Sequence, residues 1–80
     1  MYYVYLLRDK NDKKYIGSTN NINRRISEHL SGKTYTTRRM NDPELLYYEA
    51  YIKEEYARER EKKLKTYGSS YHGLLKRLGY

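Results

Sequence analysis

Cysteine is absent from this 80-residue chain, phenylalanine and tryptophan are absent too, and proline occurs once. Without cysteine there is no disulfide, no thiolate metal site and no thiol nucleophile. Long apolar stretches are also missing. The run from Met1 to Leu7 stops at Arg8, is too short for the core of a signal peptide and has no basic segment before it. No later stretch is long enough to span a bilayer, which predicts a cytoplasmic protein without a membrane partner. Acidic residues are in the minority, at 10 against 17 Lys and Arg, for a net charge of +7. At this length a chain buries only about 60–65% of its unfolded surface, enough for one core, so residues 1–80 are expected to form one domain.

What is present points to a polyanionic partner. A charge of +7 favours nucleic acid, where neutralising phosphates releases condensed counterions and drives affinity. All 12 aromatic residues are tyrosine. Each of these rings can fill a core while holding a hydroxyl at its rim, so some are expected at a polar surface.

The alternating, Tyr-, Val- and Leu-rich stretch Tyr2 to Arg8 reads as a strand. Asn11-Asp12 marks a turn, and Lys14 to Ser18 reads as a second strand, giving an antiparallel hairpin. Ser18-Thr19-Asn20 supplies capping groups for a helix over about Asn21 to Leu30, with Gly32 at its C-terminal end. A basic, Thr-rich loop from Lys33 to Glu44 closes at Asp42-Pro43. A third strand follows over Leu45 to Ile52, then a charged helix over about Glu54 to Lys65. Gly68-Ser69-Ser70 breaks it before a short final helix over Tyr71 to Leu78. The order ββαβαα predicts an α+β fold, a small three-stranded antiparallel sheet flanked by helices.

Three features carry chemical potential. Period-two geometry puts Tyr3, Tyr5 and Leu7 on one face of the first strand, and the hairpin brings Tyr15 near Tyr5. Gly17 then leaves room for a backbone or a phosphate to approach, while core packing with wet hydroxyls is the better account of the tyrosines taken alone. On the first helix Ile22, Ile26 and Leu30 form the apolar stripe, and Arg25 and His29, four apart, border it. A guanidinium aimed at the sheet edge can clamp a phosphate. On the second long helix Glu61 falls between the inward positions Ala57 and Leu64, so it needs an arginine partner (Arg25 or Arg60) or a divalent cation. Arg24, Lys33, Arg38 and Arg39 surround the loop after the first helix with Tyr35 among them, and Lys76 and Arg77 end the last helix. Such residues position a phosphodiester backbone without reading its sequence.

Taken together these residues resemble the GIY-YIG nuclease family. Tyr3-Val4-Tyr5 stands where the first signature triplet belongs and Tyr15-Ile16-Gly17 reproduces the second; Arg25 follows ten residues on. The segment Ala57 to Lys65 is similar to the helix bearing the family's metal-binding glutamate. The resemblance spans nearly the whole chain and is closest to small stand-alone members. It departs at Tyr3, where the family has glycine, at Ser18, where repair members often carry lysine, and in having no asparagine after Asn41.

The resemblance implies a divalent-metal-dependent endonuclease acting on DNA, branched or damaged DNA included, in a repair or mobile-element setting. Its catalytic residues would be Tyr5, Tyr15, Arg25, His29 and Glu61. Glu61 would hold a single Mg²⁺ or Mn²⁺ ion, and one tyrosine would serve as general base. Free tyrosine titrates near pH ~10, so that base needs positive charge nearby. Ser18, Arg24, Lys33, Arg38 and Arg39 would bind the nucleic acid, with targeting left to DNA shape or a partner protein. The alternative is a binding module of the same fold with weak or no turnover.

Overall fold

The computed structural model describes residues 1–34 and 38–80; Tyr35, which the sequence sets within the basic loop, lies outside them. Strands β1 (Tyr2–Arg8) and β2 (Lys14–Thr19) are followed by helix α1 (Ile22–Leu30), strand β3 (Glu44–Tyr51), and helices α2 (Glu54–Leu64) and α3 (Ser69–Arg77). The sheet order is β2-β1-β3, antiparallel throughout, so the ββαβαα, α+β expectation holds.

The hairpin turn is built by Asp9, whose buried carboxylate accepts from the amides of Asn11 and Lys13 on Oδ1 and of Asn41 on Oδ2. Burial alone would raise this carboxyl, but three amide donors outweigh it and hold it below the usual range. Asp12 adopts the left-handed backbone (φ 64°) that the Asn-Asp signal anticipates. At the start of α1 the Asn21 side chain accepts from the Arg24 amide, and Gly32 at φ 74° follows the C-cap Ser31.

Alternation along β1 then divides the molecule. Val4 and Leu6, with Ile16 of β2, face Ala57 and Leu64 of α2 and Tyr71 and Leu74 of α3, forming the main core. A second fastening ties β3 to α2. The Glu49 carboxylate accepts from the Tyr47 and Tyr51 hydroxyls and pairs with Arg60, so Arg60 is committed there and not to Glu61. Tyr5 and Leu7 are buried on the opposite face, where α1 lies.

The structure corrects three local expectations. Leu30 is 56% exposed while His29 is 1% exposed, so the inward stripe of α1 turns through His29 instead of Leu30. A buried phenol on the sheet needs an acceptor, which leucine cannot offer. The third strand runs Glu44–Tyr51, leaving Ile52 exposed, and α3 begins at Ser69 with Gly68 as its N-cap.

Candidate active site

Gly17 faces Tyr5 across the β1–β2 ladder. A Cβ at position 17 would lie 2.4 Å from the Tyr5 hydroxyl oxygen and 2.6 Å from its Cζ. The space that the missing side chain leaves therefore belongs to the Tyr5 ring, not to a phosphate or a second backbone as the sequence suggested. Glycine is demanded here for room, not for backbone freedom.

Lying over Gly17, the Tyr5 hydroxyl reaches His29 Nε2 at 2.7 Å, and His29 Nδ1 is 3.0 Å from Thr34 Oγ1. The guanidinium of Arg25 is within hydrogen-bonding reach of the same phenol. Because Arg has only donors, the phenol oxygen can act only as an acceptor toward Arg25, which leaves the Tyr5 proton for Nε2. Burial is the main cause that pushes Tyr5 up to about 12, against the opposing pull of Arg25, so this phenol stays protonated at neutral pH. Burial, then the Arg25 charge, pushes His29 below its usual value. A neutral imidazole accepting at Nε2 carries its proton on Nδ1, which donates to Thr34.

Tyr15, half-buried, closes the cluster, its ring centroid 6.2 Å from Tyr5 and 5.2 Å from His29. Arg25 also lies 3.7 Å from Glu28, while Arg24 pairs with the same carboxylate at 3.6 Å.

Glu61 sits beyond strand β2, on the α2 side of the sheet. Its Oε1 accepts from Ser18 Oγ at 2.7 Å and its Oε2 pairs with Lys65 Nζ at 2.8 Å. Desolvation would raise this carboxyl; Lys65 and Ser18 overcome it and hold it below the usual range. The partner is thus Lys65, one helical turn on, and neither Arg25 nor Arg60. Lys65 is also within electrostatic reach of Tyr15, which links the two halves of the site around the β2 edge.

Of the ten site residues read from the sequence, Tyr5, Tyr15, Arg25 and His29 come together on the α1 side of the sheet, whereas Glu61 lies with Ser18 and Lys65 on the α2 side of the β2 edge. Ser18 therefore belongs to the glutamate. Arg24, Lys33, Arg38 and Arg39 are exposed around the loop after α1. Sequence reasoning missed Thr34 and Lys65. The i,i+4 spacing of Glu61 and Lys65 was a usable signal for the second; nothing in the loop sequence marked the first.

The donor set suits a hard divalent ion with mostly water in its shell, since Glu61 is an ionised oxygen ligand with a hydroxyl beside it. Among the described residues there is no group of three or more His, Cys, Asp or Glu that could hold an ion.

A hairpin whose two tyrosines meet an arginine-bearing helix, with a glutamate at the sheet edge, defines a nuclease-type catalytic domain. The profile of the GIY-YIG catalytic domain matches residues 1–73, and the chain belongs to that family. Relatives are small UPF0213 proteins. One from Oceanobacillus iheyensis is 35% identical over 65 residues, covering 80% of this chain and 76% of its own. One from Clostridium perfringens is 37% identical over 62 residues, covering 76% and 67%. The solution NMR structure of a UPF0213 protein from Bacillus halodurans superposes with a TM-score of 0.60 at 32% identity, over 99% of this chain and 86% of that one. The family's nucleases generally use divalent metals. Among the described residues, no helix is long and apolar enough to cross a membrane.

Proposed function

We propose that this chain is an endonuclease that hydrolyses DNA phosphodiester bonds with one Mg²⁺ or Mn²⁺ ion. The observation that carries the reading is the Tyr5–His29 hydrogen bond over Gly17 with Arg25 on the same phenol. Core packing alone does not call for a buried phenol, a neutral imidazole and a guanidinium on one point.

Glu61 would hold the ion, with Ser18 orienting its carboxylate, and a bound ion would supply Lewis-acid polarisation of a phosphoryl oxygen. The other side chains divide the remaining work. Tyr5, protonated and locked, fixes His29 and holds Arg25 in place. Arg25 is half-exposed, and its guanidinium offsets charge that builds on the phosphoryl oxygens. Tyr15 is the general base on the attacking water, because it is the member of the pair less deeply buried and has Arg25 and Lys65 within electrostatic reach. His29 relays a proton or keeps Tyr5 oriented. Arg24, Lys33, Arg38 and Arg39 hold the DNA backbone. A branched or damaged DNA, in repair or in a mobile element, is the substrate this arrangement serves, with a partner protein for targeting. A chromosomal substrate would place the chain in the cytoplasm.

One observation favours the second reading, a nucleic-acid-binding module with weak or no turnover: Lys65 already occupies Glu61 Oε2.

Incubation with supercoiled plasmid and a branched DNA, with Mg²⁺, Mn²⁺ or chelator, separates the two. The wild type should nick or cut only with metal, and Glu61→Ala and Tyr15→Phe should each abolish it. Cleavage surviving either substitution overturns the mechanism. Absence of cleavage with retained, salt-sensitive binding establishes the second reading.

A further inference from the structure

Where β2 ends against the first turns of α2, a cleft of about 180 Å³ opens between Tyr2, Ser18, Thr19, Asn20, Glu54, Ala57 and Arg58. It shares the Ser18 wall with the candidate ion site, since Ser18 Oγ donates to Glu61 at 2.7 Å. The volume falls short of the roughly 300–1,000 Å³ typical of drug-sized ligands, so it admits one ring system and not a whole nucleotide.

Its lining is neutral in sum but rich in hydrogen-bonding groups. Glu54 and Arg58 form an ion pair at 3.2 Å, each largely exposed, and beside them stands the exposed Asn20 amide. Thr19 Oγ1 is engaged in the turn, bonded to the Asn21 amide and carbonyl, and so fixes the chain that presents Asn20. Ala57 forms an apolar floor and Tyr2 offers a ring. A phosphate would meet the Glu54 carboxylate in this space and be repelled. A flat, uncharged group with donors and acceptors on its rim meets a carboxylate, an amide and a guanidinium, the side-chain types that recognise the edges of bases.

We propose that this cleft is a pocket for a single unpaired nucleobase beside the scissile phosphate, read by Asn20, Glu54 and Arg58. The assignment rests on the nuclease reading above for its position next to the cut. A base can enter only after leaving its stack, so the preferred substrate carries an unpaired nucleotide within one or two positions of the break. That gives this chain a local source of sequence preference.

The test uses the wild-type protein in chelator and a set of fluorescent oligonucleotides in which one abasic residue is moved along an otherwise constant strand. Binding should weaken on the order of tenfold at one position and little elsewhere. In Asn20→Ala and Arg58→Ala, both exposed positions outside the catalytic cluster, that position-specific loss should disappear. With metal added, cut sites mapped on a strand of randomised sequence should show base preference at the same position, flattened in both variants. A uniform response to abasic residues, or a position-specific loss unchanged in both variants, overturns the pocket. If no metal supports cleavage yet the abasic scan singles out one position in a variant-dependent way, the pocket stands and the nuclease reading falls. If DNA is cut with no base preference and no abasic effect, the pocket falls and the nuclease reading stands.

Discussion

His29 illustrates how a residue's surroundings decide its role and its pH response. Held neutral by burial and by the Arg25 charge, it binds its proton less readily in the folded chain than in the unfolded one. Its unfolded value is near 6.5, so the stability it contributes is complete above about pH 6.5 and is lost as pH falls through the lowered folded value. Urea midpoints measured from about pH 7.5 down to 5 should therefore drop, and His29→Gln should flatten that slope; an equal slope in the variant would assign the sensitivity elsewhere. Glu49, Glu61 and Asp9 are also held low, but their losses begin only at carboxylate pH values, below the histidine window. None of this was visible in the sequence beyond the four-residue spacing of Arg25 and His29. A hydrophobic pattern ranks Leu30 above His29 for burial, and only the tertiary demand of a buried phenol reverses the order.

At the scale of elements the reading of the sequence was nearly complete, because strand alternation, Gly32 and the Gly68 break are local signals; the cap of α1, read at Ser18 to Asn20, falls instead on Asn21. What it left out is pairing between elements. The Glu49–Arg60 fastening joins β3 to α2, and the β2–α2 cleft joins residues more than thirty apart; no periodicity encodes either. At the C-cap of α2, Lys65 is the counter-ion already seated on Glu61, so it competes with any divalent cation for the same oxygen. Exposed pairs of this kind contribute roughly 0.2–1 kcal/mol. Lys65→Gln should accordingly tighten Mn²⁺ binding by about two- to fivefold in calorimetric titration without DNA. Unchanged or weaker binding would show that Lys65 helps to hold the ion instead of contesting it, and Glu61→Gln supplies the baseline without a carboxylate.

The whole molecule is a slab of 28 × 27 × 18 Å, and its long side covers roughly eight base pairs at about 3.4 Å each. A footprint that short allows only a handful of phosphate contacts, even with a charge of +7. DNA affinity should fall by about ten- to a thousandfold between roughly 50 and 200 mM salt, and filter-binding isotherms at several salt concentrations read the slope. A flat response would mean that the basic loop around Arg38 and Arg39 does not meet the backbone. Net charge was legible from composition alone; the shape that limits its use was not. The fit of Tyr5 over Gly17 has a consequence for how such a chain can change over time. Any side chain at position 17 collides with the ring at position 5, while a smaller residue at 5 leaves a glycine with nothing above it. Each position thus sets which replacements the other will accept, and drift at either one alone meets a barrier. The two positions are therefore expected to vary together among relatives, since a chain that loses one partner is released to lose the other.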